Sequence, residues 1–135
     1  MNIPYEIAQE YADIVRATFM VESGENPDWA EGDGGQAWGM GQQHPAWFKD
    51  YYGRSTRFPA SVADTWTEAQ IKAIASYYDV WEAIPRDLLI QAYRLGLDAV
   101  LKEGKRDPDR LAKIYAALNK IRAQRQANAD NSSQA

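Results

Sequence analysis

The sequence predicts an all-α fold: one domain of about five helices, interrupted after the first by a single long irregular insertion. Three observations carry that expectation. Apolar residues recur at helical spacing in five segments. Proline and glycine punctuate those segments where helices start and stop. Residues 23–43 have no period and are rich in glycine.

Pro4 suits the first turn of a helix. Ile7, Tyr11, Ile14, Val15 and Phe19 share one face, so the first helix is expected over 4 to about 22. Residues 23–43 are expected as loop, with short turns or a small hairpin. Pro45 opens a short helix through AWFKDYY, which Gly53 stops. Residues 54–66 read as loop. Thr67 and Gln70 make a Thr-x-x-Gln capping pattern, so the third helix is expected over 68 to about 83, with Ile71, Ile74, Ala75 and Tyr78 inward. Pro85 restarts the chain. Leu88, Leu89, Ala92, Tyr93, Val100 and Leu101 share a face with Gly96 or Leu97, which predicts one helix ending at Gly104. Asp107 and Pro108 form an N-cap and N1 pair. Leu111, Ile114, Tyr115, Leu118 and Ile121 line the last helix. From 124 the sequence QRQANADNSSQA offers no core face, so residues 1–123 are expected to hold the domain and 124–135 a polar, flexible tail.

Composition excludes some classes. The chain of 135 residues is long enough for a sizeable core. It carries 15 Lys and Arg against 19 Asp and Glu, a net charge of −4, which argues against a nucleic-acid binder. It has no cysteine, so disulfides and thiolate metal sites are out. The opening residues carry acids early and no basic segment. No apolar run approaches ~18 residues, so neither a signal peptide nor a membrane span is expected. His44 is the single histidine, with only scattered carboxylates to join it, so no metal site and no cofactor are expected.

The irregular stretch concentrates polar chemistry. Glu22 falls at the end of the first helix, on the side of Val15, Thr18 and Phe19. A carboxyl held against apolar groups keeps its proton more readily, as a general acid must. The bland alternative is a solvated residue at a helix end. Gly24, Gly32, Gly34, Gly35, Gly39 and Gly41 allow positive φ and a close approach of backbone to a ligand. Gln42 offers an acceptor and two donors to a sugar hydroxyl or N-acetyl group. Asp33 is a second carboxylate, of the kind an acid/base pair needs. The alternative is a surface loop that only turns the chain. His44 reads either as a cap for the helix at 45 or as a groove-lining donor. Trp29, Trp38 and Trp47 read as core or as sugar-stacking rings, Trp38 having the best position for the latter. Lys102, Lys105, Arg106 and Arg110 read as a solvated face that could touch acidic groups of a polymer or partner.

Glu22-Ser23-Gly24, followed after a gap by Ala37-Trp38-Gly39-Met40-Gly41-Gln42-Gln43-His44-Pro45, resembles the catalytic motif of the soluble lytic transglycosylase and goose-type lysozyme superfamily, Glu-Ser and then Gly-Ala-x-Gly-Leu-Met-Gln-x-x-Pro. Ala37, Gly39, Gln42 and Pro45 fall in register, and the lead-in Gly32-Asp33-Gly34-Gly35 is similar to that of phage and bacterial members. Ala92-Tyr93-Arg94-Leu95-Gly96 resembles the family's Ala-Tyr-Asn-Ala-Gly. The resemblance covers about 20–48 well and 85–101 loosely. It implies a lysozyme-like helical domain and cleavage of the N-acetylmuramic acid–N-acetylglucosamine bond of peptidoglycan. Glu22 would be the catalytic acid. Ser23 and Gln42 would position the substrate, and Tyr93 would orient Glu22 or the sugar. The muramic C6 hydroxyl would attack C1 to give a 1,6-anhydro product. In a lysozyme-type variant Asp33, or less well Asp28, would position water. The chain departs from the pattern at Gln36 for Gly, Met40-Gly41 for Leu-Met, Arg94 for Asn, and Leu95 and Leu97 for Ala and Pro. These changes predict continuous helix where the family has a loop. Arg94 reads either as a solvated helix charge or as a partner for muramic or peptide carboxylates.

The leading expectation is a peptidoglycan-cleaving muramidase binding glycan strands, in a phage lysin or a virion, reaching the periplasm or cell wall of a bacterial host without insertion into the membrane. Virion proteins are possible partners. The alternative is a virion or cell-wall structural module with the same shape and little or no catalysis. A third reading is a helical adaptor whose 23–43 loop binds a partner protein.

Overall fold

The computed structural model describes residues 7, 9–25, 37–39, 41–55, 57 and 65–134. They build six helices and no strand: α1 (Gln9–Ser23), α2 (Pro45–Tyr51), α3 (Trp66–Val80), α4 (Arg86–Leu95), α5 (Leu97–Leu101) and α6 (Pro108–Gln134). The all-α expectation holds. No helix among the described residues is long and apolar enough to cross a membrane.

α3 is the axis. Every residue from Ala69 to Tyr78 is buried, so the helix has no solvent face and must be wrapped by the others. It starts two residues earlier than expected. Thr65, not Thr67, is the N-cap, and its hydroxyl accepts the Glu68 N–H at 3.0 Å. Thr65-Trp66-Thr67-Glu68 is itself a capping spacing, and Gln70 is drawn away to other partners. The helix also stops earlier, at Val80.

α1 and α6 pack against each other and run antiparallel, as two ion pairs demonstrate. Glu22 at the end of α1 meets Arg110 at the start of α6, while Asp13 further back meets Arg125 further on. Arg110 therefore does not belong to a solvated face. It lies one turn before Ile114 on the inward stripe that continues through Ala117, Leu118 and Ile121. Asp107 caps α6 as expected, its Oδ1 accepting the Arg110 N–H at 3.1 Å. From residue 124, where a polar, flexible tail was expected, α6 continues to Gln134. Residues 122–131 are exposed, in keeping with the missing apolar stripe.

The expected single helix over 85–104 is broken. Gly96 has φ +93° and ψ 149°, a conformation closed to most side chains, and it separates α4 from α5. Gly96, expected inside one continuous helix, is the point where the chain turns. The short helix at 45 is as expected, with Gly53 at φ +79° after it. The expected helix start at Pro4 lies outside the described residues.

Thr65→Ala is expected to lower stability by about 1 kcal/mol through loss of the cap. Thr67→Ala should have a much smaller effect. Paired thermal melts followed by circular dichroism check the assignment of the cap.

Candidate functional site

Glu22 lies in the last turn of α1, the negative end of that helix's dipole, where α1 carries no basic residue of its own. The compensating cation comes from α6. Arg110 Nη1 donates to Glu22 Oε1, and the two side chains are only 3% and 7% exposed. Arg110 lies in the first turn of α6, the positive end. Each charge is therefore badly placed on its own helix and well placed against its partner. The Arg110 Nε–H donates to the Ile90 carbonyl at 3.0 Å, and the guanidinium lies 5.0 Å from the Tyr93 ring centroid. Glu22 is thus neither a solvated helix end nor a lone carboxyl against an apolar wall. It is one half of a buried ion pair.

Tyr93 joins this pair to the motif turn. Its hydroxyl donates to the Gly41 carbonyl at 2.7 Å. Burial, and next the nearby Glu22 carboxylate, push its phenol well above the ordinary tyrosine value, so it stays a neutral donor. Behind it Trp47, Tyr51 and Tyr77 form a cluster of tilted and edge-to-face rings with centroids about 5–6 Å apart.

The turn is a small closed loop. Trp38 and Gln43 exchange two backbone hydrogen bonds at 3.1 Å, and the Gln42 N–H returns to Gly39 at 3.2 Å. Gln42 takes φ +48°. Gln70 on α3 fastens the loop: its Nε2 donates to the Trp38 carbonyl at 2.7 Å and its Oε1 accepts the Gly41 N–H at 3.3 Å. Gln43 Nε2 donates back to the Gln70 carbonyl at 3.2 Å. The glycines serve this packing. A Cβ on Gly39 would come 2.4 Å from Gln70 Oε1, and one on Gly41 would meet Phe19, Gln43 and Tyr93 at 3.0–3.2 Å. Both had been read as room for a ligand; the groups they admit belong to the protein.

A groove of about 700 Å³ runs beside Tyr93, lined by Gln42, His44 and Trp47 and by residues 94–99, where the chain bends at Gly96. The structure brings Gln42, His44 and Tyr93 to this groove. Gln42 spends one donor within its own turn, Nε2 to the Gly39 carbonyl at 2.9 Å. His44 is the N-cap residue of α2 by position only, making no side-chain cap bond, and so takes the groove-lining place. Ser23 turns its hydroxyl back to the Phe19 carbonyl at 3.3 Å and is not among the described residues lining the groove. Trp38 goes elsewhere, 40% exposed on a second groove beside Phe48 and Trp66. Asp33, Asp28, Trp29, Gly32, Gly34, Gly35, Gln36 and Met40 lie outside the described residues.

Three residues of this arrangement were missed: Arg110, Gln43 and Gln70. Arg110 had a visible signal, a cation on the apolar stripe one turn before Ile114. Gln70 had a weaker one, a polar residue one turn before the inward Ile74. Gln43 had none. No group of three metal-binding side chains occurs among the described residues. Comparison with protein-family models, with curated proteins and with solved structures gave no match for this chain.

Arg110→Met, which leaves Glu22 buried without its cation, is expected to cost about 3–5 kcal/mol. Glu22→Leu combined with Arg110→Met should restore most of that loss, because neither charge then stays behind; urea melts of the single and double variants form the cycle. Tyr77 and Tyr78 are also raised above the ordinary value, mainly by burial. With Tyr93, they favour the fold fully below about pH 10, the unfolded value, and that contribution is lost as pH rises further. Absorbance at 295 nm should therefore show these phenols ionising only together with unfolding. Ionisation of all tyrosines while the far-ultraviolet signal persists would contradict their placement.

Proposed function

We propose that the chain is a peptidoglycan-cleaving muramidase with a lysozyme-like helical fold, acting on the N-acetylmuramic acid–N-acetylglucosamine bond with Glu22 as its catalytic carboxyl. One observation carries the reading. Glu22, Tyr93 and the turn at Gly41, which are distant in sequence and resemble the two halves of the transglycosylase motif, come together in space, and Tyr93, Gln42 and His44 line a groove of a size that suits a sugar chain, with Glu22 behind Tyr93 rather than in the lining. On this reading Glu22 protonates the glycosidic oxygen, Tyr93 remains a neutral donor beside it, and Gln42 and His44 face the substrate. The muramic C6 hydroxyl then closes a 1,6-anhydro ring. Asp33 is the residue for a hydrolytic variant. A phage lysin or virion-associated lytic protein acting on the cell wall is the setting in which we place it.

The ion pair favours a second reading. A carboxylate held by a buried guanidinium is arranged as a structural charge rather than as a proton donor, and for Glu22 to act as an acid its partnership with Arg110 has to open. A virion or cell-wall module that keeps the shape without the catalysis needs no such step.

Mass spectrometry of fragments released from purified peptidoglycan separates the two. The native protein is expected to release anhydromuramyl ends, and Glu22→Gln to release them at least ~100-fold more slowly, the usual scale of general acid catalysis. Reducing muramic ends would make the enzyme a lysozyme and bring Asp33 forward. No release, where a control lysozyme clears the sample, establishes the structural reading instead.

A further inference from the structure

The groove beside Tyr93 carries charge of both signs on its walls. Asp50, Asp98 and Glu103 line it, and Arg94 is the one arginine or lysine among its described lining residues. All four are exposed. Asp98 already has a cation, the Lys102 ammonium at 3.5 Å. Arg94 shares the groove with three carboxylates, yet its guanidinium pairs with none of them and with no aromatic ring among the described residues. Most arginines of this chain are engaged. Arg16, Arg57, Arg110 and Arg125 each meet a carboxylate, and Arg54 and Arg86 lie over rings. The backbone beneath Arg94 is fixed. Tyr93, one residue earlier, is buried and held by its hydroxyl on the Gly41 carbonyl at 2.7 Å. A cation in the last turn also suits the dipole of α4, which accounts for a positive charge but not for its place on the groove wall.

We propose that Arg94 is a specificity-determining residue: it receives a carboxylate carried on the side chain of muramic acid, so the groove distinguishes muramyl saccharides from plain N-acetylglucosamine ones. The proposal rests on the reading of this groove as a peptidoglycan site. A neutral glycan needs no cation here. A strand with a carboxylate on every second sugar is repelled by Asp50, Asp98 and Glu103 unless a positive charge on the same wall offsets them, and Arg94 supplies that charge. The planar guanidinium takes a carboxylate through two parallel N–H···O bonds, which fixes orientation as well as charge; a lysine offers only a point charge. The carboxylate has two possible sources. In a strand stripped of peptide it is the free lactyl group. In a peptide-bearing strand the lactyl group is an amide, and the carboxylates belong to the stem peptide.

The test is a chemical-shift titration of the native protein with four saccharides. The first is N-acetylglucosaminyl-β-1,4-N-acetylmuramic acid, which lacks the bond that a muramidase cuts and so survives. The second is the same disaccharide with its lactyl carboxyl as an amide. The third carries L-Ala–D-Glu on that carboxyl. The fourth is diacetylchitobiose, which has no lactyl group. The first or the third is expected to bind at least ~10-fold more tightly than the amide and diacetylchitobiose, and which of them does so identifies the source of the carboxylate. Arg94→Gln should bring the charged ligands down to the affinity of the neutral ones, a selective loss that mere destabilisation does not produce. Arg94→Lys should keep part of the preference. Arg94 is exposed, and melts verify that both variants fold. No saturable binding of either charged saccharide, equal binding of charged and neutral ones, or a preference that survives in Arg94→Gln overturns the proposal. None of these results decides the muramidase reading, which stands or falls on released fragments; a preference without released fragments places Arg94 in a wall-binding module.

Discussion

The Glu22–Arg110 ion pair is the constraint around which the rest is arranged. Removing two charges from water is costly, and the cost is offset only when geometry and further hydrogen bonds are both supplied. Here α1 must end where α6 begins, so the two helices lie antiparallel. The Ile90 carbonyl must face the guanidinium, which fixes α4 against α6. Tyr93, three residues on, then lies beneath the guanidinium with its hydroxyl on Gly41. One pair thus sets the relation of three helices and a turn. The Arg110 Nη2 group finds no hydrogen-bond partner among the described residues, so the pair is held on fewer bonds than the guanidinium can make.

The turn follows the same logic at smaller scale. A loop of this kind can be held by its own backbone bonds, but here two glutamines fasten it to α3 from both sides. Gln70 takes one donor and one acceptor of the turn, and Gln43 returns a bond to the backbone of Gln70. Such reciprocal polar contacts in a dry interior fix register as well as position. A Cβ at Gly39 would collide with the Gln70 amide, and one at Gly41 would crowd Phe19, Gln43 and Tyr93.

Much of this was legible in advance, and the gaps have physical causes. Helix existence followed from the spacing of Ile14, Phe19, Ile74, Leu89 and Ile114, because burial of an apolar stripe decides helices wherever it is strong. Ends were less secure. Thr65 and Thr67 both offer a capping hydroxyl, and which one caps depends on Gln70 being used elsewhere in space. The break at Gly96 was hidden because its positive φ is a backbone property that apolar spacing does not report. The resemblance brought Tyr93 near Glu22, and the structure holds the two side chains close to each other and to Arg110. Arg110 was lost because a cation among Lys102, Lys105 and Arg106 reads as surface, although the stripe at Ile114 placed it inward. The continuation of α6 to Gln134 could not be seen, since nothing buried marks it; Arg125 pairing with Asp13 ties it to the frame beyond Ile121.

The burial of α3 on all sides has a consequence for the order in which the chain acquires structure. Its side chains form one cluster with those of α1 and with Ile114, Leu118 and Ile121 of α6. On a ribosome α3 emerges with α1 and α2 to cover part of it, but before α6. α6 brings both the remaining wall and the arginine that neutralises Glu22. The core therefore stays open, and exposed to chaperones and proteases, until α6 has been made, and it then closes as one cooperative unit.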